Sequence, residues 1–423
     1  MRLGPRNLVL LLAALPLLIC TNAHASEGLT VEQVVQMALL ANPQVRGARD
    51  RWHSAEHSVL QNYAPVDPQF QFENVDSPKN PFAGRTEQSF AVTQALQFPG
   101  KGYLQGQSAS RIADIARLSY EAAVRDVRAQ AETQYYQILL DEALLGVEAE
   151  NVASLRQVLK VTEIAYTANQ VSQADVLSAK FNLTNEEQTQ RQFVLNLAND
   201  KAALNQTLFR RADEPLILRG TLELQPLEAT VDDLVARAKA RRQEILEAAL
   251  TERNTETALT LAKLEYAPDY TIGYEFDHFM IPSAGPNTTL LQDHTLTIGI
   301  NVPIFFWLHQ REDNIKAGYD LSAAREDLGS VINQTEIQVV TLYRQAQFSY
   351  RTALLYRNSQ IPMAAQAFRV ALVAYASGKL DFFTLIGTFR QLSDAKVANL
   401  QNINQFLAQE FAIEQAIGSP LSR

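Results

Sequence analysis

A mainly α-helical chain with a membrane β-barrel, built from long helical hairpins and four strands that cannot close without copies of themselves, is the fold class these 423 residues predict. Three observations carry it. The chain is an internal two-fold repeat. Each half holds an unusually long stretch of helix formers, and ahead of that stretch two segments alternate strictly between apolar and polar residues.

The N-terminus, Met1 to Arg6, leads into an apolar run from Leu8 to Ile19 and then Ala23-His24-Ala25. These are the three parts of a secretory signal peptide, residues 1–25. Leu18-Ile19 precedes Cys20 where a lipid-attachment signal has a small residue, which speaks against lipid at Cys20. Cys20 is the one cysteine, so the mature chain carries neither disulfides nor thiolate metal ligands. Losing Arg2 and Arg6 moves the formal charge from −9 to −11, a balance that disfavours nucleic acid as a partner. Later segments lack the ~20 unbroken apolar residues of a spanning helix, so the chain is either soluble in the periplasm or crosses a membrane as strands.

The repeat begins with Thr30-Val31-Glu32-Gln33-Val34-Val35 against Thr230-Val231-Asp232-Asp233-Leu234-Val235. It continues with Tyr63-Ala64-Pro65 against Tyr266-Ala267-Pro268, and with Ala165-Tyr166 against Ala374-Tyr375. A first repeat over 26–209, a linker over 210–229, a second repeat over 230–418 and a tail over 419–423 follow from these matches.

Each repeat reads helix, strand, strand, helix, helix. The first helix covers roughly 30 to 62. No proline occurs between Pro99 and Pro215, and Val124, Val127, Ala131, Tyr135 and Ile138 recur at steps of three and four. A helix from Lys101 to Thr167 would be ~100 Å long. It should stop at Asn169, which tolerates the left-handed backbone, and a return helix over 172 to 208 should start at the N-cap Ser172. Gly378 and Asp381 occupy the same two positions in the second repeat. Pro362, standing where the first repeat has Ala153, predicts a bend.

The strands come before each long helix. Phe70 and Phe72 alternate with Gln69, Gln71 and Glu73; Phe90, Val92, Leu96 and Phe98 alternate with small or polar residues. Tyr270, Ile272, Tyr274 and Phe276 do so in the second repeat, as do Leu296, Ile298, Ile300 and Val302. About ten residues of this kind cross a bilayer when tilted. Lipid cannot satisfy the open edges of a four-stranded sheet, so a spanning sheet must close with other chains. Phe98, Tyr103, Phe305, Phe306 and Trp307 gather where strands meet helices, as headgroup-level aromatics do. Loops from Ser77 to Arg85 and from Ile281 to Asp293 should join the opposite ends.

The signal peptide, the duplication, the long helices, the segment Gln94-Ala95-Leu96-Gln97-Phe98-Pro99-Gly100-Lys101 and the hairpins Tyr166 to Leu177 and Tyr375 to Ile386 together resemble the TolC family of outer-membrane efflux proteins. The resemblance implies a homotrimer in outer-membrane lipid, with twelve strands in one barrel and twelve helical columns in a periplasmic tunnel. It implies a passive conduit, without cofactor or catalytic residue, fed by a periplasmic adaptor protein and an inner-membrane transporter. The Phe-Pro-Gly-Lys turn and the Ile361-Pro362 step resemble the branch serving cobalt, zinc, cadmium or copper and silver exporters. By position, the resemblance places a periplasmic gate at Asp175 and Tyr375. Lys379 and Asp381 form a replacement gate where the family's pattern departs at Leu380, Thr384 and Gly387. Helix capping by Asp381 and a solvated Lys379 are the alternative.

Two other functions fit parts of the sequence. His53, Glu56 and His57 fit a zinc-peptidase pattern, but the second repeat has Arg253, Glu256 and Thr257 there, so the pattern arises on a helix without zinc. A periplasmic coiled-coil adaptor also uses long hairpins, but such adaptors carry small β-rich domains and not paired alternating strands.

Overall fold

The computed structural model describes residues 28–74, 85–282 and 288–421. The signal peptide, Cys20 and the loop residues from Ser77 to 84 lie outside them. Chain order is α1 (Val31–Ala41), α2 (Pro43–Tyr63), β1 (Gln69–Asn74), β2 (Arg85–Leu96), α3 (Lys101–Thr167), α4 (Gln173–Thr207), α5 (Val231–Arg241), α6 (Gln243–Leu264), β3 (Asp269–Pro282), β4 (Thr288–Asn301), α7 (Gln310–Leu355), a π-turn (Tyr356–Gln360), α8 (Ile361–Ala376) and α9 (Phe382–Ile417).

The single helix expected over 30 to 62 is two. Apolar spacing runs on through the break, but Pro43 has no N–H to donate and pushes Asn42 into extended backbone at ψ 121°. Asn42 then caps α2, its side chain accepting from the Gln44 N–H at 2.8 Å. Arg242, at ψ 124°, makes the corresponding break between α5 and α6. Thr30 and Thr230 cap the leading helix of each repeat, accepting from the backbone of Gln33 and Asp233.

Helix α3 starts and stops where its sequence predicts. Gly100, at φ 103°, turns the chain out of β2, and Asn169, at φ 54°, ends the helix with the Gln170 N–H returned to the Ala165 carbonyl at 2.9 Å. Gly378, at φ 68°, ends α8 in the same way, with Lys379 N–H on the Ala374 carbonyl at 2.9 Å. Just before Pro362, where the sequence predicts a bend, the turn Tyr356–Gln360 widens into a π-turn, which accommodates the missing donor and the proline ring.

The four strands form one antiparallel sheet in the order β1-β2-β3-β4, so the β2–β3 pairing joins the two repeats and β1 and β4 are its edges. The loop expected from Ile281 to Asp293 is shorter. Strand β3 continues to Pro282 and β4 begins at Thr288, with Pro282 opposite Thr288 and Asp277 opposite Asp293. β-branched Thr288 and Thr289 extend the ladder even though polar residues there obscure the alternation.

Burial is concentrated in three places along the helices. Val34, Ala38, Val127, Ala131, Ile138 and Leu204 pack α1 and α4 onto α3. Leu234, Val339, Phe406 and Ile413 do the same for α5, α7 and α9. Leu155, Val158, Phe368, Leu385 and Phe389 join the two hairpins near their tips. The 210–229 segment is itself packed: Leu216 and Leu218 are buried, and the Tyr135 hydroxyl donates to the Arg219 carbonyl at 2.6 Å.

Candidate conduit and gate

The sheet sorts its side chains by face, because residues directly opposite in an antiparallel ladder point the same way. Phe70, Val92, Tyr274 and Leu296 share one row, and Phe72, Phe90, Phe276 and His294 the next. On this face Leu296 is 67 % and Ile298 69 % exposed, a strip of large apolar groups with nothing over it. The other face is polar. One of its rows reads Glu73, Ser89, Asp277 and Asp293 across all four strands, with Glu275 one step away accepting from the Ser89 hydroxyl at 3.2 Å.

Sheet and helices are joined through Lys101. Its ammonium lies 2.9 Å from Asp269 at the start of β3 and 3.2 Å from Glu265 at the end of α6, and it donates to the Ala267 carbonyl at 3.4 Å. Asp269 also accepts from the Phe98 N–H at 2.8 Å. Burial alone would pull the Lys101 ammonium down, but the two carboxylates outweigh it and raise it. Around this join Tyr63 faces Tyr103 at 6.3 Å, and its repeat counterpart Tyr266 faces Phe306 at 6.2 Å. Tyr103, Phe305, Phe306 and Trp307 are exposed, whereas Phe98 is half-buried. Below the join, Arg125 on α3 holds Glu244 on α6 with two bonds, at 2.7 and 3.0 Å.

At the far end the two hairpin turns, Asn169 and Gly378, sit together, with Val171, Leu380 and Phe382 packed against one cluster. Asp175 is engaged in a capping box: its carboxylate accepts from the Ser172 N–H at 3.1 Å, and Ser172 accepts from the Asp175 N–H at 3.2 Å. Asp381 caps α9, accepting from the N–H of Thr384 at 2.8 Å and from its hydroxyl at 2.7 Å, bonds that hold this carboxyl below its usual range. Tyr375 is 1 % exposed, edge-on to Phe382 at 5.9 Å. Its hydroxyl stands beside Thr162 without a well-formed hydrogen bond, while Thr162 donates to the Val158 carbonyl. Burial pushes the Tyr375 hydroxyl up. Lys379 is exposed at the turn.

His53, Glu56 and His57 lie on the exposed side of α2. The His53 ring stacks on Trp52 at 4.8 Å, and its Nδ1 sits 3.0 Å from Glu56. Among the described residues no three His, Cys, Asp or Glu side chains converge to hold a metal ion, and no helix is long and apolar enough to cross a membrane.

No family model matches the chain. It is 18 % identical over 397 residues to the cobalt-zinc-cadmium resistance protein CzcC of Cupriavidus metallidurans, covering 93 % of this chain and 91 % of that protein. The outer membrane protein VceC of Vibrio cholerae superposes with a TM-score of 0.76 at 15 % identity, over 93 % of this chain and 97 % of VceC. CusC, whose structures describe folding and transmembrane channel formation, superposes at 0.78 and 13 % identity, over 92 % of each chain. With TM-scores of 0.76 and 0.78 over more than nine-tenths of each chain, the fold is that of VceC and CusC, as the resemblance to the TolC family implies.

Proposed function

We propose that this chain is the outer-membrane conduit of a tripartite efflux system. Three copies close one barrel of twelve strands, edge β4 pairing with edge β1 of the next copy, and their hairpins form a periplasmic tunnel. An inner-membrane transporter drives cargo through a periplasmic adaptor protein into this tunnel, and no residue of the chain performs chemistry on it. The observation that carries the reading is the four-stranded sheet with one apolar face, one polar face and two unpaired edges. Lipid covers the first, water fills the second, and only a closed barrel satisfies the third. A periplasmic adaptor has no use for such a sheet.

The cargo we assign is divalent heavy-metal cations. CzcC is by name a cobalt-zinc-cadmium resistance protein, and in the trimer the Glu73, Asp277 and Asp293 row lines the lumen with acid. The gate lies at the tips, on Asp175, Tyr375, Lys379 and Asp381. Both carboxylates already serve as caps, so Lys379 is the member free to reach a neighbouring copy. The exposed aromatics Tyr103, Phe305, Phe306 and Trp307 mark the inner headgroup level.

Detergent extraction of outer membranes followed by native mass spectrometry should give a homotrimer, and a water-soluble monomer would defeat the conduit reading. Deleting the gene should sensitise cells to cobalt, zinc and cadmium salts. Unchanged metal tolerance beside new drug sensitivity would remove the cargo assignment and leave the conduit standing.

A further inference from the structure

Helix α3 carries two acids with no cation of their own. Asp141 and Glu148 are 4 % and 3 % exposed and lie two turns apart on one face. Gln137 donates to Asp141 Oδ1 at 3.2 Å, but Asp141 Oδ2 and Glu148 Oε2 are enclosed without a donor among the described residues. Across from them on α4 stand further carboxyls, Asp200 beside Asp141 and Glu186 beside Glu148.

The neighbouring cations are engaged elsewhere. On α4, Lys201 bonds Glu142 at 2.8 Å, and Glu187 is held by Arg156 of α3 at 2.9 Å. On α9, Lys396 bonds Glu150 at 2.6 Å, and at the level of Asp141 the amide of Asn404 donates to Gln137. Two ionised carboxylates pressed together away from water repel strongly, and a carboxyl–carboxylate hydrogen bond exists only while one proton is shared.

We propose that the α3–α4 hairpin carries a proton-operated clasp, in which buried Asp141 and Glu148 on α3 hold the α4 carboxyls Asp200 and Glu186 through a shared proton and release them once Asp141 and Glu148 ionise. The device belongs to this interface and stands whether or not metal is the cargo. Burial first, and the partner acid second, push both Asp141 and Glu148 up to about 7. Their folded values exceed their ordinary ones, so the folded hairpin holds extra protons and loses stability as pH rises from the usual carboxylate range to about 7. Above that, the full repulsion acts along the wall that ends at the Asn169 turn, so an alkaline shift loosens this hairpin.

Hydrogen-exchange mass spectrometry on the full detergent-solubilised chain, corrected for intrinsic exchange rates, reads the device directly. Protection of α4 in the wild-type chain should fall about tenfold for each pair that opens between pH 6 and 8.5, the factor for one pH unit below a pKa of about 7. Asp200→Asn with Glu186→Gln keeps the shapes, gives the remaining acids a donor and should hold α4 protection constant. Should that variant not assemble, Asp141→Asn with Glu148→Gln carries the same test from α3. Infrared difference spectra need no variant: a protonated-carboxyl band present at pH 6 should vanish by pH 8.5. Wild-type protection that ignores pH, variants that lose protection equally, or absence of the band at pH 6 would each overturn the proposal.

Discussion

Lys101 shows how much of the join between sheet and tunnel rests on single side chains. It is the last residue of the Phe-Pro-Gly-Lys turn, and its two acid partners arrive from 164 and 168 residues along the chain. Lys101→Met should leave Asp269 and Glu265 to rehydrate and lower stability by about 2 kcal/mol, the loss of hydrogen bonds to charged groups. An unchanged denaturant midpoint of the detergent-extracted protein would show that the join is held by other contacts. Removing the tip cation of the proposed gate by Lys379→Ala should raise single-channel conductance in planar bilayers, and conductance equal to wild type would take Lys379 out of that gate. The turn motif, the two caps and the two hairpin turns were legible because each depends on neighbours in sequence. Asp269 and Glu265, the burial of Tyr375 and the carboxyl pairs were not, since each depends on which helix comes to lie alongside and leaves no local pattern.

Elements follow the same division. The limits of α3 were readable because Pro99-Gly100 and Asn169 to Ser172 are strong local punctuation within a breaker-free run. The split at Asn42 was hidden because apolar periodicity crosses it undisturbed, and only the proline betrays it. Strand faces were readable from alternation, but strand ends were not where Gln292 and Asp293 replace apolar residues. The faces themselves can be tested. Ile298→Lys puts a charge on the apolar side and should impair barrel assembly by roughly 2 to 4 kcal/mol if it lies near the bilayer midplane. Thr297→Lys, one residue away on the polar side, should insert normally. Equal defects in the two variants would mean that the lumen and lipid sides are misassigned.

At the scale of the whole molecule, the described sheet has unfinished edges and the described helices have uncovered apolar positions, including Leu177, Phe181, Val370 and Val373 near the tips. Both are what a protomer of a larger ring should show. Each protomer has two helical hairpins, ended by similar turns at Asn169 and Gly378, but the hairpins are not alike. The long helix of one is the unbroken α3; that of the other is α7 and α8, with a widened turn before Pro362. In the proposed three-fold assembly, hairpins with an unbroken and with a π-turned long helix alternate around the axis, so the mouth of the tunnel has a period of two hairpins and not one. Any protein that grips it all the way round therefore meets two distinct footholds in turn, and a partner built with six identical contacts can match only half of them perfectly.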